Sequence, residues 1–216
     1  MTRVDVLIPY GPGDPHRERA LGFVTALYCE EFPECRLRIV IDEEKPFNRA
    51  RVLNQAVRES KADIVVFNDA DTICDSAQIR EAVRLAEEEP GFVFAYTLYL
   101  RLSEWVTGEL DDWRDVLEAP AEWGMMFAGS QGCSAVRRED FVAIGMLDER
   151  FAGWGYEDLE FNRRADEWDE RAGCRRVPGQ LRHLWHGNRR GDDSPLSADP
   201  ADVARNYQLW QETLAQ

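Results

Sequence analysis

Asn68-Asp69-Ala70-Asp71 sets two carboxylates two residues apart directly after the apolar run Ile64-Val65-Val66-Phe67. A hard divalent cation takes few protein carboxylates and leaves positions for phosphate oxygens and water, so a short Asp-x-Asp turn suits a cation that bridges a diphosphate. Acidic pairs after strands are also common surface turns, and this motif alone decides little. His183 and His186 are two of the chain's 3 histidines and lie in a short apolar run after the turn Val177-Pro-Gly-Gln180. Imidazole nitrogen combined with carboxylate oxygen suits manganese, with magnesium as the second choice. A lone histidine there would be a core or rim residue. Its pairing with Asp71 is what makes a metal set of Asp71, His186 and His183 the sharper reading.

Trp154-Gly155-Tyr156-Glu157-Asp158 joins an aromatic wall, a glycine that lets backbone approach closely, and two adjacent acids. A sugar ring stacks its C–H face on an aromatic side chain while carboxylates accept its hydroxyl hydrogens, and one such acid can act as general base. The bland alternative is a helix start favoured by the macrodipole, which accounts for the charge but not for the Gly-Trp-Gly lead-in. Phe47-Asn48-Arg49 could offer an aromatic edge and a guanidinium to a nucleotide, or could simply be a helix start capped by Asn48. Gly132-Cys133-Ser134-Ala135 is either a strand start or a close backbone approach to a donor's sugar and phosphate.

Positioning these groups requires a regular scaffold. Residues 4–9 read as a buried strand, the turn Tyr10-Gly-Pro-Gly-Asp14 follows, and Leu21, Val24 and Leu27 carry helical spacing. Two further strand–helix units follow at 37–41 with 48–59 and at 63–67 with 77–88. This rhythm predicts an α/β fold with a mixed, mostly parallel central sheet flanked by helices, whose ligands bind at the carboxyl ends of strands, where Asp69 and Asp71 fall. Residues 92–100 and 132–137 are expected as further strands, with helices at 139–144, 156–171 and 201–214. Residues 103–124 are acidic, carry Trp105, Trp113 and Trp123, and show no clean period. That stretch is expected to be an insertion or a flexible wall near the site.

At 216 residues the chain fits one domain with its own core. A net charge of −15, from 26 Lys+Arg against 41 Asp+Glu, repels nucleic acid and anionic membranes at long range. Arginine nevertheless gathers late, at Arg171, Arg175, Arg176, Arg182, Arg189 and Arg190, as a phosphate site or as a solvated basic face. The 5 cysteines form no CxxC pair and suit reduced thiols. No apolar leader or membrane-length run is present, so a cytoplasmic location is expected.

Taken in order, Pro46-Phe-Asn-Arg-Ala-Arg-Val-Leu-Asn54, Phe67-Asn-Asp-Ala-Asp71, Gly132-Cys-Ser-Ala135, Gly153-Trp-Gly-Tyr-Glu-Asp158 and His183-Leu-Trp-His186 resemble GT-A fold glycosyltransferases. The likeness is to family-two enzymes and to the galactosyltransferase-type C-terminal region, and it spans roughly residues 4–190. The resemblance implies a single GT-A domain, with residues 1–75 as the nucleotide-sugar half, 125–190 as the acceptor and catalytic half, and 191–216 as a tail helix. It implies an inverting, single-displacement hexosyltransferase using a nucleotide-sugar donor, most simply a UDP-sugar, with Mn2+ or Mg2+. By position, Pro9, Tyr10, Asp42, Phe47, Arg49 and Gly132 would lie on the donor side, and Asp69 would hold ribose or donor sugar. Asp71 and His186 would ligate the metal, Trp154, Gly155, Tyr156 and Glu157 would line the sugar and acceptor sites, and Asp158 would be the base.

Two positions depart from the family pattern. Tyr156 stands where a second glycine commonly precedes the Glu-Asp pair, and would narrow the acceptor mouth. His183 stands where the galactosyltransferases have methionine, and would add a nitrogen ligand. The acceptor stays open among glycan, protein, lipid and modified nucleic acid. Other classes are a phage or bacterial DNA-base- or protein-modifying glycosyltransferase, a non-catalytic nucleotide-sugar or glycan-binding module, and a nucleotidyltransferase. The binding module would not need Asp158, and the nucleotidyltransferase would want a lysine in the glycine turn that follows the first strand.

Overall fold

The computed structural model describes residues 2–126, 131–168, 174–187 and 199–215. In chain order these form β1 (Val4–Tyr10), α1 (Pro15–Glu31), β2 (Arg36–Ile41), α2 (Arg49–Glu59), β3 (Ile64–Asn68), β4 (Thr72–Cys74), α3 (Ser76–Glu88), β5 (Phe92–Phe94) and β6 (Leu98–Arg101). Then come α4 (Glu104–Glu109), α5 (Trp113–Glu118), β7 (Trp123–Met126), β8 (Cys133–Arg137), α6 (Arg138–Ala143), α7 (Glu157–Trp168), β9 (Cys174–Arg176), β10 (Gln180–His183) and α8 (Pro200–Leu214).

The main sheet runs β2-β1-β3-β8-β5-β9. β1 lies parallel to both β2 and β3, β8 is antiparallel to β3 and β5, and β9 is parallel to β5. β3 is buried along its whole length and β1 at every residue but the first, as expected of strands covered on both faces. Short polar side chains set the helix starts. Asp14 accepts from the backbone N–H of His16 and Arg17 ahead of α1, and Asn48 accepts from Arg51 N ahead of α2. Such caps each contribute about 1 kcal/mol.

A second sheet, β4-β10-β6-β7, was not anticipated from the sequence. Its strands are three or four residues long, too short for a period to show. It also divides the expected strand at residues 92–100. Ala95 N still bonds Cys133 O in the main sheet, but Thr97 N and Leu98 N both bond Gly179 O, and the chain leaves for the second sheet. Residues 103–124, expected as an insertion or a flexible wall, carry two short helices. Ser103 caps α4, Asp112 and Asp115 form a reciprocal capping box on α5, and Trp113 and Val116 enter the main core.

The register of β10 matters most for the site. It pairs antiparallel with β4 so that His183 stands opposite Thr72, and Leu184 N then donates to Asp71 O at 2.9 Å. Two segments more than a hundred residues apart are thereby joined at the end of β3.

Candidate active site

The carboxyl ends of β2, β1 and β3, together with the start of the antiparallel β8, form one edge of the main sheet. Asn68, fully buried at the end of β3, organises the acidic turn. Its Nδ2 donates to the carbonyls of Asp69 and Thr72, and its Oδ1 accepts from the Tyr28 hydroxyl at 3.0 Å. Asp69 N donates to Gly132 O at 2.7 Å. A Cβ at Gly132 would stand 2.7 Å from a Leu181 methyl, so a larger residue here would have to displace that side chain of β10.

Asp71, His183 and His186 are all buried, and one ligand atom from each lies within 4.8 Å of the other two. His186 Nε2 is 3.2 Å from Asp71 Oδ2, and His183 Nε2 is 3.6 Å from Asp71 Oδ1. Burial pushes the Asp71 carboxyl up, but His183, Arg17 and His186 outweigh it and hold the group well below the usual carboxylate range. An ionised carboxylate beside two imidazoles is a mixed oxygen–nitrogen donor set, which fits Mn2+ better than a site of oxygens alone would. Arg17 was not singled out from the sequence. Its Nη2 lies 3.2 Å from Asp71 Oδ2, and only the fold brings it there.

Asp69 does not join this cluster. It belongs to a second group, in which Arg49 donates to Asp69 Oδ1 from Nε at 3.1 Å and Nη2 at 2.9 Å, and to Gln131 Oε1 from Nη1 at 2.9 Å. Burial disfavours the Arg49 charge, but Asp69, Glu157 and Asp158 more than offset this and raise its pKa. Asp158 opens α7 half-buried, with Oδ1 accepting from Leu159 N. Burial, and then the neighbouring Glu157 charge, push its carboxyl up to about 7 against the opposing pull of Arg49.

The loop before α7 adopts positive φ at Gly153, Gly155 and Tyr156, at 80°, 96° and 73°. Tyrosine in that region costs roughly 1–2 kcal/mol. Its ring stacks on Trp210 of α8, with centroids 5.5 Å apart, and tilts against Tyr207. Fully buried Asn206 donates from Nδ2 to the carbonyls of Ala152 and Trp154. A Cβ at Gly153 would collide with Asp202. The tail helix is thus the clamp on this loop. Trp154 is 40% exposed. Gly153 N also donates to Phe47 O at 2.8 Å, tying the loop to the start of α2, and the Phe47 ring lies over Gly11.

Of the other expected donor residues, Pro9 and Tyr10 are buried at the end of β1. The Asp42 carboxylate is engaged by its own loop and by α2, accepting from the backbone N–H of Glu44 and Asn48 and from Arg51 Nη2. The late arginines do not form one cluster where they are described. Arg175 binds carbonyls at the end of α3, Arg176 lies over the Phe94 ring and Arg182 donates to Ala119 O. Arg171, Arg189 and Arg190 lie outside the described residues.

This sheet, with an acidic turn at the end of β3 and an acidic helix start facing it, is the architecture of GT-A glycosyltransferases. A catalytic domain of Drosophila beta1,4galactosyltransferase 7, solved with xylobiose, superposes over 96% of this chain and 80% of its own with a TM-score of 0.61 at 18% identity. A mannosyltransferase from Pyrobaculum calidifontis, solved with GDP-Man and Mn2+, covers 99% of this chain and 73% of its own with a TM-score of 0.54 at 16% identity.

Residues 25–145 match the glycosyl transferase family 2 model, and the chain belongs to that family. Residues 119–187 also match the galactosyltransferase model described as its N-terminal domain. Human chondroitin sulfate N-acetylgalactosaminyltransferase 2 is 30% identical over 160 residues, which is 72% of this chain but only 29% of that protein's length. Among the described residues, no helix is long and apolar enough to cross a membrane.

Proposed function

We propose that the protein is a metal-dependent, inverting hexosyltransferase that moves a sugar from a nucleotide-diphosphate donor, a UDP-sugar, to an acceptor hydroxyl. The observation that carries this reading is the buried convergence of Asp71, His183 and His186 at the end of β3. A Drosophila beta1,4galactosyltransferase 7 variant with this fold, TM-score 0.56 at 18% identity, is in complex with manganese and UDP-Gal, which supports the choice of both ligands.

In this reading residues 1–75 form the donor half, 125–190 the acceptor half and 191–216 the tail, within one GT-A domain. Asp71, His186 and His183 hold Mn2+, with Mg2+ as the substitute. When bound, the cation neutralises negative charge on the departing diphosphate. Pro9, Tyr10, Phe47 and Gly132 border the nucleotide, and Asp42 acts by fixing the loop that carries Phe47. Arg49 holds Asp69 toward ribose or donor sugar. Trp154 and Gly155 face the sugar, Glu157 accepts from its hydroxyls, and Tyr156 sets the backbone of the loop from behind.

Asp158 removes the acceptor hydroxyl's proton as the oxygen attacks the anomeric carbon from the face opposite the diphosphate, so configuration inverts. A carboxyl lifted to about 7 is well matched to that task near neutral pH. The five cysteines, all free thiols, favour a reducing compartment such as the cytoplasm.

The test is a panel of nucleotide sugars screened for Mn2+-dependent binding and slow hydrolysis, then acceptors offered with the best donor. A UDP-sugar that binds only with Mn2+ is the expected result. Binding and turnover indifferent to excess chelator would overturn the reading.

A further inference from the structure

We infer that Arg17 is a resident counter-cation of the metal site that passes to the donor's diphosphate, and so couples cation binding to nucleotide binding. The inference rests on the metal-site reading above. Arg17 lies in the first turn of α1, where Asp14 accepts from its backbone N–H at 3.4 Å. Its side chain is 15% exposed, and Nη2 stands 3.2 Å from Asp71 Oδ2, the same oxygen that His186 Nε2 approaches at 3.2 Å. Nε is buried without a hydrogen-bond partner. A guanidinium carries five N–H donors in a fixed fork, and this fork is only partly used on Asp71.

A divalent cation held by Asp71 would share one buried carboxylate with that guanidinium. Two positive centres a few ångströms apart, shielded from water, repel strongly. A diphosphate relieves the conflict. Its oxygens can coordinate the cation while accepting from the arginine fork, a geometry that suits arginine better than lysine. The cation therefore binds poorly alone and well with the nucleotide, and by linkage the nucleotide gains equally from the cation. A purely structural Arg17 that only balances Asp71 would leave nucleotide binding untouched.

The experiment is calorimetric titration of the whole chain with Mn2+, alone and with saturating UDP, for the wild type, Arg17→Met and Arg17→Lys. In the wild type, UDP should tighten Mn2+ binding by about tenfold or more, within the usual range of coupling between sites. Arg17→Met should bind Mn2+ alone about tenfold more tightly and lose most of the UDP-induced gain, since the competing charge and the phosphate ligand leave together. Arg17→Lys keeps the charge and should match the wild type with Mn2+ alone while losing part of the gain. Undiminished coupling in Arg17→Met, or weaker binding of Mn2+ alone, overturns the inference.

The metal-site reading fails separately, and takes the inference with it, if the wild type binds no Mn2+ or if Asp71→Asn binds it unchanged. For a variant too unstable to titrate, the Mn2+-induced rise in melting temperature replaces the first arm. A larger rise in Arg17→Met than in the wild type supports the inference, and an equal or smaller one overturns it.

Discussion

Arg49 grips one carboxylate oxygen of Asp69 through two hydrogen bonds while its charge also reaches Glu157 and Asp158, so a single guanidinium balances acids from the end of β3 and the start of α7. Among the charges acting on Asp158, Glu157 and Asp69 raise its pKa and Arg49 lowers it. Arg49→Met should therefore raise the Asp158 pKa above its value of about 7. The acid limb of the pH profile of kcat/KM then moves to higher pH. An unmoved limb would show that Arg49 does not act on the base.

As the proposed base, Asp158 must be ionised to act, so kcat/KM should rise with pH through the group's pKa, with half-maximal activity near 7. Asp158→Asn keeps the shape but cannot take the proton. Transfer should fall by roughly a hundredfold or more with the pH dependence flattened, while Mn2+ and UDP still bind. Proton NMR coupling should report a product anomer opposite to the donor's. A retained configuration would rule out single displacement.

Asp71→Asn and His186→Ala should each abolish Mn2+-dependent UDP binding, because each removes one donor from a set of three buried groups. His183→Ala should only weaken Mn2+, since its nitrogen stands farther from Asp71, at 3.6 Å against 3.2 Å for His186. Titration of each variant with Mn2+ gives the order. Equal affinity in His183→Ala and the wild type would return His183 to a packing role beside Tyr99.

Tyr156 pays for a left-handed backbone with stacking on Trp210. Tyr156→Gly removes the strain and the stacking together, whereas Tyr156→Ala removes only the stacking, so the glycine variant should be the more stable by about 1 kcal/mol in urea melts. Asn206→Ala leaves two loop carbonyls without their donor, and should destabilise by about 1–3 kcal/mol and raise the acceptor KM more than the donor KM. Equal effects on both KM values would count against a loop that serves the acceptor.

Local chemistry made much of this molecule legible in the sequence. Val4–Tyr10 and Ile64–Asn68 are buried in a central sheet, so their composition marks them as strands without help from distant residues. Asn48, readable as a cap, satisfies an N–H group in the first turn of α2, a role a short side chain plays through local geometry alone. The residue types mark Asp71, His183 and His186 as a candidate metal set, and the fold does bring these three buried groups within 4.8 Å of one another.

Only the tertiary structure could decide what surrounds those groups. Asp69 turns to Arg49 instead of joining the metal set, Arg17 comes to Asp71, and Tyr156 turns toward α8. Each is a contact between segments far apart in the chain, and no periodicity records such a contact. Strands of three or four residues, β4 and β10 among them, likewise carry too few side chains to show alternation, yet their register is what sets His183 beside Asp71. Residue types are a property of the chain, but electrostatic environment is a property of distances, and distances exist only once the sheets have paired.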